Sequence, residues 1–192
     1  LQNKIYPKDK TFYIDLGYLG LNLTSTFQDT QGAQLKAGYF FKEEWAFEIN
    51  YLKYTNSDNA ALSGVENVAA VTPFVRRPLS STSIFLIWSP FYGKINTFNK
   101  IYYFDWSFGV GTGVYQMESN LKTAELRDEN RFDAETYTPL QLKTTLKFHI
   151  NKSLHLGVEF LNTNIQSNTP SNPNSKSWDL NNDVIFSIGA SF

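Results

Sequence analysis

The sequence has no cysteine, which excludes a disulfide framework and thiolate metal sites and is compatible with an exported bacterial protein. It has no excess of positive charge either. Seventeen Lys and Arg stand against 18 Asp and Glu, for a formal net charge of -1 and a pI near 6.2. Phosphate backbones are bound by basic patches or stripes, so no nucleic acid is expected among its partners. No run of 18 or more apolar residues occurs, which excludes a transmembrane helix. The mean hydropathy of -0.33 leaves a membrane barrel open, because barrel strands alternate apolar with polar residues and average to an unremarkable value. No glycine-rich phosphate loop precedes a helix, so no nucleotide site is expected.

What the chain does have is aromatic side chains. Phe, Tyr and Trp make up 16% of its 192 residues. A chain of this length is expected to form one domain over 1–192, with 1–10 as an N-terminal segment on the periplasmic side. It opens at Leu1 without a charged and apolar leader, as expected of a mature form from which a signal peptide has been removed.

Period-two alternation dominates and marks eight segments, near 11–24, 32–42, 45–55, 82–92, 101–117, 137–150, 153–165 and 182–192. Helix is expected to be minor. Short connections at 42–44, 93–100 and 151–152 alternate with longer polar ones at 25–31, 56–81, 118–136 and 166–181. Outer-membrane barrels have this asymmetry, with tight periplasmic turns and longer outer loops. The expected fold is therefore all-β, a closed antiparallel up-and-down transmembrane barrel of about eight strands.

Alternation alone does not say which row faces in, and a lipocalin-like carrier would turn the apolar row inward. The composition of the second row decides. In the fifth segment Tyr102, Phe104, Trp106, Phe108 and Val110 alternate with Tyr103, Asp105, Ser107, Gly109, Gly111 and Gly113. Glycine weakens a strand and marks close approach, which suits a crowded lumen better than a watery surface. The lumen is then expected to hold a nearly balanced charge network of Asp15, Lys36, Glu48, Asp105, Lys143, Lys147, Glu159 and Asp183. If Phe41 pairs with Trp45, Lys36 lies diagonal to Glu48; if His149 pairs with His155, Lys147 lies diagonal to Glu159. Such partners are needed, since a buried unpaired charge costs several kcal/mol.

Aromatics near segment ends form the expected membrane girdle: Trp45, Trp88, Tyr92, Tyr102, Trp106 and Phe192, with Phe12, Tyr39 and Phe41. The fourth segment is apolar on both faces, from Ile84 to Tyr92. This makes Ile84, Leu86, Trp88, Phe104, Trp106 and Phe108 a candidate subunit interface, and a homo-oligomeric ring enclosing lipid one expected assembly. The alternative is that Phe85, Ile87 and Phe91 plug the lumen.

Two local patterns resemble known ones. Val184, Phe186, Ile188, Ala190 and the terminal Phe192 resemble the C-terminal signal read by the barrel-assembly machinery, an expected partner alongside outer-membrane lipid. The stretch Trp88, Ser89, Pro90, Phe91, Tyr92, Gly93, Lys94, followed by Phe104, Asp105 and the Gly109, Gly111, Gly113 ladder, resembles the outer membrane β-barrel domain family common in deltaproteobacteria, which include predatory and myxobacterial species. That resemblance implies a small outer-membrane barrel and no established catalytic chemistry.

No catalytic, cofactor or metal site is read from the sequence. Barrel enzymes that act on lipid need a His with a Ser or paired acids at the outer rim, whereas His149 and His155 flank an expected periplasmic turn. Two imidazoles without a third ligand make a weak metal site. Arg76 and Arg77 lie in a long loop and suit lipopolysaccharide phosphates or plain solvation. The mixed charges from Lys122 to Glu135 suit solubility, with a helical turn. The expected function is thus structural or interactive, in a barrel too full of side chains to conduct solutes. The alternatives are a soluble lipocalin-like carrier of apolar ligands and a lipid-modifying barrel enzyme.

Overall fold

A computed structural model describes residues 4–69, 72–97, 100–124, 131–170 and 172–192. Among the described residues nine strands and one helix follow in order: β1 (Phe12–Asn22), β2 (Gln28–Lys42), β3 (Trp45–Asp58), α1 (Ala60–Ala69), β4 (Arg76–Thr97), β5 (Lys100–Ser119), β6 (Asp133–Tyr137), β7 (Leu140–His149), β8 (Leu154–Thr169) and β9 (Asn172–Ser191). Each strand pairs antiparallel with its chain neighbour, and β1 pairs with β9, so the sheet closes on itself. The strands β6 and β7 are one stave in two pieces. Both lie along β5, interrupted at Thr138 and Pro139, where proline cannot donate to a ladder; the Pro139 carbonyl instead accepts from Thr112 Oγ1 at 2.7 Å. Eight staves result.

All eight expected segments are strands, and most run further than the sequence rhythm suggested. The polar stretch 166–181 was expected to be a long loop. It is instead the continued ladder of β8 and β9, from Asn164 opposite Leu180 to Thr169 opposite Asn172. The apolar rhythm stops where the outward belt stops, but backbone pairing does not depend on it. Helix α1 lies within the stretch 56–81 expected as a loop; its ten residues are too few for a sustained helical period.

The turns at 43–44 and 150–153 share one end of the barrel, the turn end, with Lys4 and Phe192; α1 and residues 120–124 lie at the other, the loop end. The outward row is apolar and bare. Leu16 is 62% exposed, Ile49 58%, Ile84 61% and Ile188 53%, the reverse of a lipocalin-like arrangement. Towards the loop end this belt gives way to outward Gln31, Lys53, Gln116 and Asn162.

The double apolar face of β4 has a local cause. Phe85 and Ile87 point into the lumen and are buried, opposite Gly111 and Gly109 of β5. A Cβ on Gly111 would come within 2.5 Å of the Phe85 ring, so the glycine ladder is the notch that receives these side chains. A bulge between Trp88 and Phe91, centred on Pro90, then resets the alternation and sends Phe91 outward, 52% exposed.

Candidate functional site

The inward row builds the lumen in tiers. Nearest the turn end, the segment before β1 folds back over the opening. Lys10 adopts a left-handed conformation, φ 58°, inside a turn closed by the Thr11 amide donating to the Lys8 carbonyl at 3.1 Å. The backbone amides of Lys8 and Asp9 donate to Glu43 Oε2 at 2.8 and 3.0 Å, and the Ile5 amide donates to the Tyr92 hydroxyl at 3.2 Å. Lys8 Nζ reaches Ser89 Oγ and Asp105 Oδ1, each at 2.7 Å, while Tyr6 stacks on His149. Burial pulls the Lys8 ammonium below the ordinary lysine pKa even with Asp105 beside it. The segment expected before the first strand is thus, from residue 4 onward, a latch across the mouth.

Above the latch lies the main charge cluster. Lys36 Nζ contacts Glu159 Oε2 at 3.0 Å and Asp15 Oδ2 at 3.3 Å. Lys143 bridges Glu48 and Glu159, and its ammonium sits 4.3 Å from the centre of the Phe85 ring. Lys147 faces Asp15 at 3.7 Å and lies over Tyr13, whose hydroxyl donates to Glu48 Oε2 at 2.6 Å. Gln34 and Thr145 complete the shell around Glu159.

Six of the eight residues expected in the lumen network therefore meet in one cluster: Asp15, Lys36, Glu48, Lys143, Lys147 and Glu159. Asp105 belongs with Lys8 and His149, and Asp183 stands apart, held by Tyr54, Asn22 and Asn181. The diagonal registers are present, with Lys36 opposite Asn50 beside Glu48 and His149 opposite His155, although Trp45 pairs with Lys42 across a bulge and not with Phe41. Lys36–Asp15 and Lys143–Glu159 join neighbouring strands along the wall, whereas Lys36–Glu159, Lys143–Glu48 and Lys147–Asp15 run across the lumen, because side chains of a narrow barrel meet at its axis. Lys8 was missed for want of any signal, since no period-two rhythm extends into its segment.

Each histidine is engaged by a carboxylate: His149 Nε2 with Asp105 Oδ2 at 2.7 Å and His155 Nε2 with Asp15 Oδ1 at 2.5 Å. Ser191 Oγ lies 3.4 Å from His155 Nδ1, giving the residue types of an acyl-transfer triad. His155 is only 1% exposed and the cavity beside Ser191 measures about 30 Å³, one water's share of volume.

Beyond the charges comes an apolar tier of Leu19, Leu52, Leu161 and Ile185, all fully buried, and above it the rim. Arg76 there donates to Glu135 at 3.0 Å, Asp179 at 3.3 Å, Ser167 Oγ at 2.8 Å and the Asn168 carbonyl at 2.7 Å. Arg77 pairs with Glu118 at 2.6 Å and lies over Phe132. Arg76 is thus committed to neighbours within the chain, whereas Arg77 engages Glu118 through Nε alone; both stand at the start of β4 and not in a loop, which corrects the loop reading. Burial raises the Glu135 carboxyl pKa, but hydrogen bonds from Ser119 and Tyr137 and the Arg76 charge outweigh it and hold the group below the ordinary value. Burial, with the hydrogen bond to Glu135, pushes the Tyr137 phenol up to about 12.

Of the expected girdle residues, Trp45, Trp88, Tyr102, Trp106 and Phe192 sit outside, towards the turn end; Tyr92 does not, because the bulge before Phe91 puts it on the inward side opposite Asp105, where its hydroxyl holds the latch. Trp45 stacks on Trp88, Trp106 Nε1 donates to Thr144 Oγ1 at 2.7 Å, and Tyr102 and Phe192 are exposed. Ile84, Leu86 and Trp88 also lie on the bare outward face, while Phe104 and Phe108 are half covered by ring neighbours. With Phe85 and Ile87 turned into the lumen, the second apolar face of β4 no longer calls for a covering subunit.

No protein-family model matches the sequence, and no curated protein matches it. Among solved structures, the N-terminal β-barrel domain of OprF from Pseudomonas aeruginosa aligns at 9% identity over 96% of this chain and 98% of its own, TM-score 0.53. Ail, the attachment invasion locus protein of Yersinia pestis, aligns at 10% identity over 96% and 99%, TM-score 0.51. The chain has the fold of the small outer-membrane β-barrels. Within that class it is an eight-staved barrel with one stave broken at proline and a latch at the turn end.

Proposed function

We propose that the protein is a non-conducting barrel of a Gram-negative outer membrane with a structural or interaction role. Its belt faces lipid, its turn end the periplasm and its loop end the outside. What supports this reading is how little space the lumen leaves towards the turn end. The cavity inside the charge cluster is about 20 Å³ and that beneath the latch about 30 Å³, whereas conduction needs a continuous wet path such as the large porins possess. The outward apolar belt and the girdle support membrane insertion, and the alternating C-terminal residues to Phe192 support delivery by the barrel-assembly machinery. The narrower resemblance to the deltaproteobacterial barrel family is carried by β4 and β5.

Purified protein reconstituted in planar bilayers is expected to add no conductance above that of the empty membrane; steady unitary currents from the intact chain would overturn the reading. Extraction only by detergent, with a gel mobility that shifts on boiling, is expected from membranes. A monodisperse preparation in plain buffer would reject the membrane assignment.

A further inference from the structure

The exposed cations of the barrel are unevenly placed. Lys10 stands before β1, Lys42 at the β2–β3 turn and Lys152 in the β7–β8 turn. Lys94 and Lys100 lie on the β4–β5 hairpin, which runs past Trp88, where pairing of β4 with β3 stops, to Thr97 opposite Lys100. All five are exposed at the turn end, and none forms an ion pair among the described residues. Acids at this end are fewer. Glu43 is engaged by Lys4 and by the latch amides, and Asp105 by Lys8 and His149, which leaves Asp9 and Glu44 exposed. Five lysines against two acids give the turn end a clear positive excess, in a chain whose net charge is -1. At the loop end, by contrast, Arg76, Arg77, Lys122 and Arg131 each meet a carboxylate of the same chain.

Four of these lysines ring the wall beside outward apolar side chains. Exposed Phe12 follows closely on Lys10, and Lys42 pairs with Trp45. Lys100 precedes exposed Ile101 and Tyr102, and Lys152 lies between exposed Ile150 and Leu154. Lys94 is on the other face of its hairpin from Phe91 and Ile95 and adds charge only. An apolar anchor with a long cation beside it keeps the methylene stem against hydrocarbon while the ammonium reaches the headgroup layer. A phosphate-bearing lipid uses both parts, its acyl chains on the anchors and its phosphate on the ammonium. An acidic protein seated on the mouth would use the lysines and leave the anchors bare. A zwitterionic headgroup brings its own cation to the same place, so the charge excess favours a headgroup that is net negative.

We infer, on the strength of the membrane placement proposed above, that the turn-end ring is a binding surface for anionic phospholipid. The barrel then selects the lipid around one end by charge, and the leaflet so selected holds it by the end that carries the latch.

The chain has four tryptophans. Trp178 lies on the β8–β9 hairpin at the loop end, and Trp45, Trp88 and Trp106 lie outside towards the turn end. In Trp178→Phe, fluorescence therefore reports on lipid at the turn end alone. Barrels folded into phosphatidylcholine vesicles are mixed with increasing fractions of dibrominated phosphatidylglycerol or dibrominated phosphatidylcholine, whose chains quench on contact, and the two relative binding constants are compared. At low salt the phosphatidylglycerol is expected to bind about fivefold more tightly, the fold-change that one lysine near an anionic surface supplies. The preference is expected to fall below about twofold in 1 M salt, where the screening length is about 3 Å, and likewise in the combined variant Lys42→Gln, Lys100→Gln, Lys152→Gln. The matching loop-end variant, Lys53→Gln, Lys122→Gln, Lys176→Gln, is expected to keep it, and the mobility change on boiling reports a folded barrel in each. Equal binding of the two lipids, both quenching, would overturn the selection, leave the lysines to an acidic partner in the aqueous phase and spare the membrane placement. An undiminished preference in the turn-end variant would overturn the site. Quenching by neither lipid would reject the membrane placement and the site with it.

Discussion

At the scale of single residues, the lumen runs on compensation: four lysines, at 8, 36, 143 and 147, meet four acids, at 15, 48, 105 and 159, largely withdrawn from water. Removing one member strands its partner. Glu48→Leu leaves Lys143 with Glu159 alone and the Tyr13 hydroxyl without its acceptor, and is expected to cost about 3–5 kcal/mol. Lys152→Leu, in an exposed turn, is expected to stay within about 0.5 kcal/mol. Urea unfolding in lipid vesicles compares the two, and equal midpoints would contradict the inward placement of Glu48. At the rim, the depressed pKa of Glu135 means that its ionised form stabilises the fold above the unfolded carboxyl value of about 4.3. That contribution is lost as pH falls through the lower folded value. The carboxyl carbon resonance of Glu135 is expected to titrate below about 4.3 and to move upward in Arg76→Gln; an unchanged midpoint would mean that the Arg76 contact carries no weight.

At the scale of elements, the staves show what a sequence can and cannot announce. Where a strand crosses the belt, lipid on one side and lumen on the other impose opposite chemistries on successive residues, and the rhythm is legible, as from Trp45 to Tyr51. Where β8 and β9 rise beyond the belt, both faces meet water or neighbouring loops and the rhythm fades, although the ladder continues. The same reasoning explains the site. Lys36 and Glu159 could be assigned to the lumen by parity, but their meeting across the axis depends on closure, which no local pattern encodes. The latch likewise depends on contacts between elements far apart in sequence. The β4 and β5 pair is a close joint. A Cβ at Gly113 would overlap the Thr82 carbonyl and the Ser83 Cα, both backbone, so Gly113→Ala is expected to destabilise the barrel by about 1–3 kcal/mol. Gly64, in α1, has nothing within 4 Å of its would-be Cβ, and Gly64→Ala is expected to be neutral or to add up to about 1 kcal/mol through helix propensity. Thermal shift of the gel-mobility transition separates these outcomes, and a neutral Gly113→Ala would mean that β4 can move away from β5.

At the scale of the whole molecule, closure joins β1 to β9, and stability and function both follow from the ring instead of from any one strand. The latch draws on Glu43, Ser89, Tyr92, Asp105 and His149, which span the chain from the β2–β3 turn to the end of β7. Residues 4–8 therefore cannot settle until most of the wall stands, and the segment nearest the start of the chain is among the last to find its place. This gives folding a clock hand. Lys8 is shielded in the finished barrel and bare in any incomplete one, so trypsin pulses during refolding into vesicles are expected to cut after Lys8 until the heat-modifiable species forms, and to spare it from then on. Protection arriving well ahead of that species would mean that the latch helps to nucleate the ring; its arrival in step makes the bond between Lys8 and Asp105 a seal set on a completed assembly.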